Sequence, residues 1–188
     1  MTVEAVTLFL AILAVLAQAI AVGVAVTSLG GAFSTRLASA RRALGDAVGG
    51  QALALAFGVA AVAMAGSLYY SEVANFPPCR LCWYQRIAMY PLVPLLGIAA
   101  WRRDTGIRIY AATLAGLGAL VSIYHVVLER VPELESGACE AANPCTLIWV
   151  ERFGYLTIPA MALSGFAAIL ALLALATDPR DPHEGAPH

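Results

Sequence analysis

The chain has 188 residues, of which 61% are hydrophobic and 12% are charged, and its formal net charge is -1. A soluble domain of this length cannot bury so much apolar surface, so the composition indicates helices that lie in a lipid bilayer. All 11 basic residues are arginines, and they form no basic stretch of the kind that binds nucleic acid, which excludes that class of function.

Five apolar stretches are each long enough to cross a membrane, because a helix needs about 20 residues to span a hydrocarbon core of roughly 30 Å. They cover residues 6–29, 48–70, 83–101, 109–128 and 156–176. The first follows Glu4 rather than a basic segment and is about twice as long as the apolar part of a secretory signal, so we expect a retained helix. Residues 178–188, rich in proline, are predicted to form a disordered tail.

The arginines predict the orientation of these helices, because short cytoplasmic loops carry an excess of positive charge. Seven arginines lie between the first and second apolar stretches, between the third and fourth, and in the C-terminal tail: Arg36, Arg41, Arg42, Arg102, Arg103, Arg108 and Arg180. These segments and the C-terminus are therefore predicted to be cytoplasmic. Both cysteine pairs then lie on the outer face, where disulfides persist, which favours redox chemistry over zinc binding.

The first cysteine pair, Cys79 and Cys82, follows two prolines and precedes the third apolar stretch. We expect the prolines to end any preceding helix and Cys82 to lie at the N-terminus of the next, where the helix dipole favours a thiolate. The two-residue spacing allows a disulfide to close and reopen, although the same spacing also binds zinc.

Polar residues follow this pair into the predicted third helix. Arg86 lies one turn beyond Cys82 on the same face, and Gln85 flanks that face. An arginine inside a membrane is costly, so Arg86 is either an anchor that reaches the headgroups or a functional cation beside Cys82. His125, near the end of the fourth stretch, has a similar predicted depth, and the two residues could flank one pocket.

The second pair, Cys139 and Cys145, lies in an acidic loop with glycine and proline signals. Such a short ring would add roughly 2 kcal/mol of stability in the entropic model, a modest gain for a membrane bundle. A structural disulfide remains possible from the spacing, but a disulfide that exchanges with a partner protein fits an exposed loop better.

Together these motifs resemble the disulfide bond formation protein B family, DsbB, and within it the BdbC type with a closely spaced second pair. The resemblance rests on the sequence CRLCWYQR from Cys79 to Arg86, on Tyr124 and His125, and on the second pair. It implies an all-α membrane protein with a four-helix transmembrane bundle over residues 47–177. Residues 1–46 would add an extra N-terminal transmembrane helix and a cytoplasmic loop.

The resemblance also implies a bacterial plasma-membrane thiol:quinone oxidoreductase. A DsbA-like thioredoxin-fold partner would deliver electrons to Cys139 and Cys145, which would pass them to Cys79 and Cys82. A quinone, ubiquinone or menaquinone, would accept them from Cys82, with Arg86, Gln85 and His125 on the quinone side. Two other interpretations stay open: an enzyme similar to vitamin K epoxide reductases, and a metal-binding or structural membrane protein.

Overall fold

The computed structural model describes residues 2–135, 137, 139 and 143–177. The predicted tail at 178–188 lies outside these residues. The helices of the described part are α1 (Val3–Gly30), α2 (Thr35–Val48), α3 (Ala52–Leu68), α4 (Arg80–Arg102), α5 (Arg108–Arg130) and α6 (Ile158–Leu175). A short hairpin, β1 (Glu151–Arg152) and β2 (Leu156–Thr157), precedes α6. The prediction of an all-α membrane protein is confirmed, and this hairpin is a small unforeseen addition.

Helices α3 to α6 form a four-helix bundle in which each helix packs on its neighbours in sequence, and α6 returns to pack on α3. Helix α1 lies outside this bundle, against α6. Helix α2, with three of the arginines, forms a helix where the sequence predicts only a loop, and it packs mainly on α1. The four-helix bundle with an additional apolar N-terminal helix, α1, therefore agrees with the predicted architecture, and α2 is a further helix that the prediction did not contain.

Four helical segments of the described chain are long and apolar enough to cross a membrane: Val3–Gly30, Thr35–Val73, Thr105–Arg130 and Ile158–Leu175. Helix α4 is not among them, because its first turns carry polar residues and it contains two prolines. Its 23 residues are nevertheless long enough to span, and exposed Trp83 and Trp101 lie about 27 Å apart along it at 1.5 Å per residue. Tryptophan prefers the membrane interface, so this spacing favours a fifth span.

The core of the bundle consists mainly of alanine and leucine side chains, which allow the helices to approach closely. One close approach joins α5 to α6, where Gly118 faces the ring of the fully buried Phe166. Exposed apolar residues are numerous, among them Phe9, Ile87 and Leu120. In a membrane these side chains contact lipid instead of water.

Candidate redox and cavity site

Cys79 caps the N-terminus of α4. Its backbone is extended (φ -70°, ψ 173°), and its sulfur accepts a hydrogen bond from the backbone N–H of Cys82 at 3.3 Å. The helix therefore begins at Arg80, three residues before the predicted start at Trp83. Cys79 is thus the capping residue, and Cys82 lies within the first turn rather than at the start of the helix.

The two sulfurs of this pair are free thiols that lie 2.9 Å apart. A disulfide bond measures about 2.05 Å, so a small movement closes the bond. Cys79 precedes the membrane-spanning part of α4, and its pKa lies well below the ordinary value for a thiol. The first cause is the hydrogen bond with the Cys82 thiol, and a further cause is the interaction with His125, whereas burial opposes both.

His125 of α5 connects the two cysteine pairs. Its Nε2 lies 3.7 Å from Sγ of Cys79 and 3.1 Å from the backbone carbonyl oxygen of Cys145, and its Nδ1 lies 3.2 Å from Nε2 of Gln85. When the Gln85 amide N–H donates to Nδ1, the ring proton lies on Nε2, which donates to the Cys145 carbonyl. The ring is 3% exposed, so its orientation is fixed by these contacts and by packing.

The second pair forms a disulfide between Cys139 and Cys145, with a Cα–Cα distance of 5.8 Å. Cys145 is 1% exposed and packs in one apolar cluster with Cys79 and Leu128, whereas Cys139 is half-buried. The loop that carries the pair is held near the first pair by a hydrogen bond from Asn143 to the carbonyl oxygen of Pro77 at 3.4 Å. The two redox pairs thus meet at one end of the bundle, which we call the cysteine end.

A cavity of about 520 Å³ begins beside Cys82 and extends into the membrane region between α1, α3, α4 and α6. Its volume lies within the range of small-molecule binding sites. Cys82, Gln85 and Arg86 line it at the cysteine end, and nearly all of its other walls are apolar. Stacked aromatic rings close this end: Phe76 stacks on Trp149 and on Tyr70, with ring centroids 5.1 and 5.9 Å apart.

Arg86 is held in place by α3. Its Nε donates to Oγ of Ser67 at 2.9 Å and its Nη2 to the carbonyl oxygen of Ser67 at 3.0 Å, and its guanidinium lies 5.2 Å from the centre of the Trp83 ring. A guanidinium has five N–H donors, so two bonds to Ser67 leave three for a ligand in the cavity. The hydroxyl of Tyr90 also donates to Oγ of Ser67, at 3.3 Å.

The structure brings together the seven residues that the sequence singles out, but it divides them between two sides. Cys82, Gln85 and Arg86 face the cavity, whereas His125 is absent from its lining and lies beside Cys79 and Cys145. Gln85 touches both sides. Ser67, which positions Arg86, has no signal in the sequence, because a serine within an apolar stretch is common and its partner is 19 residues away.

Three ligand atoms are close enough to hold a metal ion: the sulfurs of Cys79 and Cys82 and a ring nitrogen of His125 lie within 4.8 Å of one another. A zinc site formed by all four cysteines does not fit this arrangement, because Cys139 and Cys145 are joined to each other.

The sequence profile of the family "Disulfide bond formation protein DsbB" matches residues 50–143, which is half of the chain. The chain belongs to the DsbB family. "Disulfide bond formation protein C" of Bacillus subtilis (strain 168) is 45% identical over 118 residues, which cover 62% of this chain and 86% of the relative. "Probable disulfide formation protein" of Oceanobacillus iheyensis is 46% identical over 113 residues, which cover 59% of this chain and 78% of the relative. No solved structure matches the chain significantly.

Membership of the DsbB family and the membrane helices establish a multi-pass membrane oxidoreductase of disulfide-bond formation. The family match contains both members of the first pair, His125 and Cys139, and ends two residues before Cys145. It does not include α1 or α2, which precede residue 50.

Proposed function

We propose that this protein oxidises the thiols of an extracytoplasmic, DsbA-like thioredoxin-fold partner and passes the electron pair through both cysteine pairs to a membrane quinone. The observation that supports this most directly is the position of Cys79 and Cys82 between two environments. Cys79 packs with the buried sulfur of the outer disulfide, and Cys82 lines an apolar cavity beside a fixed guanidinium.

The difference in burial between the two outer cysteines supports different roles for them. A thiolate of the partner reaches the half-buried Cys139 more readily than the enclosed Cys145, so attack at Cys139 forms a mixed disulfide and releases the Cys145 thiolate. The second thiol of the partner then displaces Cys139, which completes the partner's disulfide and leaves two thiols here. Cys145, which packs beside Cys79, would attack the Cys79 sulfur of the inner disulfide and release Cys82 as a thiolate. Cys139 would then attack Cys145 in this mixed disulfide, which re-forms the outer disulfide and releases Cys79.

The inner pair then holds two electrons and two protons, which must leave for the disulfide to form again. Reduction of a quinone to its hydroquinone consumes the same numbers, so the exchange balances. The cavity fits such an acceptor, because its apolar walls suit the ring and Arg86 has N–H groups left to bind a carbonyl oxygen. Such a preorganised donor stabilises negative charge that develops on that oxygen, and one of them is typically worth about 2.7 to 4 kcal/mol.

The relay is tested with single cysteine variants of the purified protein, supplied with either a reduced thioredoxin-fold protein or a small dithiol. We expect Cys139→Ser to lose oxidation of the protein substrate but to keep quinone reduction with the small dithiol. Cys82→Ser should lose quinone reduction with both reductants. The relay is wrong if Cys139→Ser oxidises the protein substrate at the parent rate. In a separate experiment, extraction of the bound quinone identifies ubiquinone or menaquinone as the acceptor.

In the same assay, Arg86→Met should slow quinone reduction by about two orders of magnitude, whereas thiol exchange at Cys139 should proceed normally. Arg130, whose guanidinium is 44% exposed and paired with Glu151, provides the matched control as Arg130→Met. Quinone reduction at the parent rate in folded Arg86→Met would show that this arginine is only an interfacial anchor.

A further inference from the structure

Helix α1 forms one wall of the cavity, although it lies outside the part of the chain that matches the DsbB family. We propose that the groove between α1 and α3 holds the isoprenoid tail of the quinone, and that α1 retains this tail against the surrounding lipid. The inference rests on the proposed function, because it assigns the tail of the same acceptor whose ring would lie beside Cys82.

Two faces of α1 carry side chains of different size. Ala11 and Ala14 are buried and pack against Ala160 at the start of α6, which brings the two helices close together. The neighbouring face carries larger side chains that line the cavity: Leu10, Leu13, Leu16 and Ile20. The cavity lining also includes Ala17, and Ala14 belongs to both the contact with α6 and the cavity wall. Helix α1 therefore attaches to the bundle through small residues, and most of its contribution to the groove comes from branched apolar side chains.

Polar contacts fix α1 at two levels. The hydroxyl of Tyr70 donates to Oγ1 of the buried Thr7 at 3.2 Å, and the Gln18 amide donates to Oγ of Ser164 at 2.9 Å. At Gly66 the absence of a side chain allows close approach, because a Cβ there would lie 2.9 Å from Cδ1 of Leu10. The helix is thus joined to both α3 and α6 and is a fixed wall of the cavity.

The shape of the cavity indicates its occupant. The polar lining is concentrated at the cysteine end, whereas the lining continues along α3 to Ala54, about 20 Å beyond Ser67 at 1.5 Å per residue. A ring with no tail would leave this length unfilled. An isoprenoid quinone combines a compact ring with carbonyl oxygens and a long apolar chain, so its two parts match the two parts of the cavity.

Gly58 provides a direct test, because it lines the deep part of the groove and a Cβ there meets nothing within 4 Å. Gly58→Leu should fill part of the groove, because its Cβ meets no protein atom and the rest of the side chain extends from there toward the cavity. Gly116→Leu is the matched control: it is also a half-buried helical glycine with open space, but it does not line the cavity. A second pair on α1 is Leu13→Trp, in the groove, and Ile12→Trp, which is exposed outside it.

The proteins are placed in lipid nanodiscs, reduced with a small dithiol, and assayed with a menaquinone of four isoprene units and with menadione, which has the same ring and no tail. Gly58→Leu and Leu13→Trp should raise the KM for the tailed quinone about tenfold, and by clearly more than for menadione. Gly116→Leu and Ile12→Trp should leave both values at the parent level. Comparison of variants on one quinone removes the effect of partition into the lipid.

Equal effects of the groove variants on the two quinones, or no effect, would overturn the assignment of the tail. Native mass spectrometry that finds a phospholipid in the groove of the parent protein, displaced by Gly58→Leu while quinone kinetics stay unchanged, would overturn it as well. Failure of the parent protein to reduce either quinone would instead contradict the proposed function.

Discussion

Cys79 joins the two halves of the site, and its chemistry depends on groups from two helices, α4 and α5. Its sulfur receives hydrogen bonds from the backbone and thiol of Cys82, and it lies 3.7 Å from the ring of His125. These interactions lower the pKa of Cys79, which makes it a good leaving group when Cys139 attacks the mixed disulfide between Cys145 and Cys79. Formation of the Cys79 thiolate therefore accompanies each transfer from the outer pair.

The contribution of His125 can be measured by alkylation. Because His125 lowers the pKa of Cys79, His125→Ala should move the pH profile of Cys79 alkylation upward, by about one pH unit for the loss of one hydrogen bond to a charged group. Iodoacetamide labelling of the reduced protein, followed by trypsin, separates the two sites, because cleavage at Arg80 lies between Cys79 and Cys82. Tyr124→Phe is the neighbouring control, and an unchanged profile in His125→Ala would exclude this role.

For individual residues, the sequence predicts relative positions well where the residues share one helix. The spacing of Cys82 and Arg86 places both on one face, and both line the cavity. His125 is different, because counting residues from a helix end gives its depth but not the direction in which it points. The rotation of α5 about its own axis is decided by packing, which turns His125 toward Cys79 and away from the cavity.

Helices α5 and α6 approach each other closely at Gly118. A Cβ at Gly118 would overlap the ring of Phe166, which has no exposed surface and is surrounded by the core of the bundle. Two residues earlier, Gly116 has open space around it. The same helix therefore contains one glycine that packing requires and one that it does not.

We expect opposite effects when each glycine is replaced by alanine. Gly118→Ala should destabilise the bundle by about 1 to 3 kcal/mol through overpacking. Gly116→Ala should be neutral or slightly stabilising, because alanine favours the helix by about 1 kcal/mol. Unfolding of both variants in sodium dodecyl sulfate, followed by circular dichroism, measures the difference. Equal stability of the two variants would show that α5 and α6 do not approach each other as described.

The length of each apolar stretch predicts that a helix exists there, but it does not predict which helices contact one another. The apolar residues of α1 surround the whole helix, so no amphipathic pattern indicates which side meets the bundle. Its contact with α6 and the cavity depends on where small residues lie, at Ala11 and Ala14. The start of α4 is also a matter of local bonding, since the Cys79 cap extends it by three residues beyond the apolar stretch.

The whole molecule has two chemically different ends. The end opposite the cysteines carries the arginines of α2 and of the turn between α4 and α5: Arg36, Arg41, Arg42, Arg102, Arg103 and Arg108. Arg41 also fixes α2 to the bundle, because its Nη2 donates to the carbonyl oxygen of Ala174 at 2.7 Å. The cysteine end contains acidic residues as well as arginines, with Arg130 bonded to the carbonyl oxygen of Tyr155 at 3.2 Å. Because short cytoplasmic loops carry an excess of arginine and lysine, this asymmetry predicts that the end opposite the cysteines faces the cytoplasm.

We predict the orientation of the whole molecule in the membrane: the cysteine end faces outward and α2 faces the cytoplasm. In intact cells treated with a reductant, a membrane-impermeant maleimide should label Cys139, which is the more accessible member of the outer pair. Ser39→Cys, in a variant whose four native cysteines are serine, tests the opposite end, since Ser39 lies on α2 and is exposed. It should react only after the cells are lysed. Labelling of Ser39→Cys in intact cells, together with protection of Cys139 in the protein that keeps its native cysteines, would reverse the orientation. The thiol chemistry would then lie in a reducing compartment, where the outer disulfide would not persist.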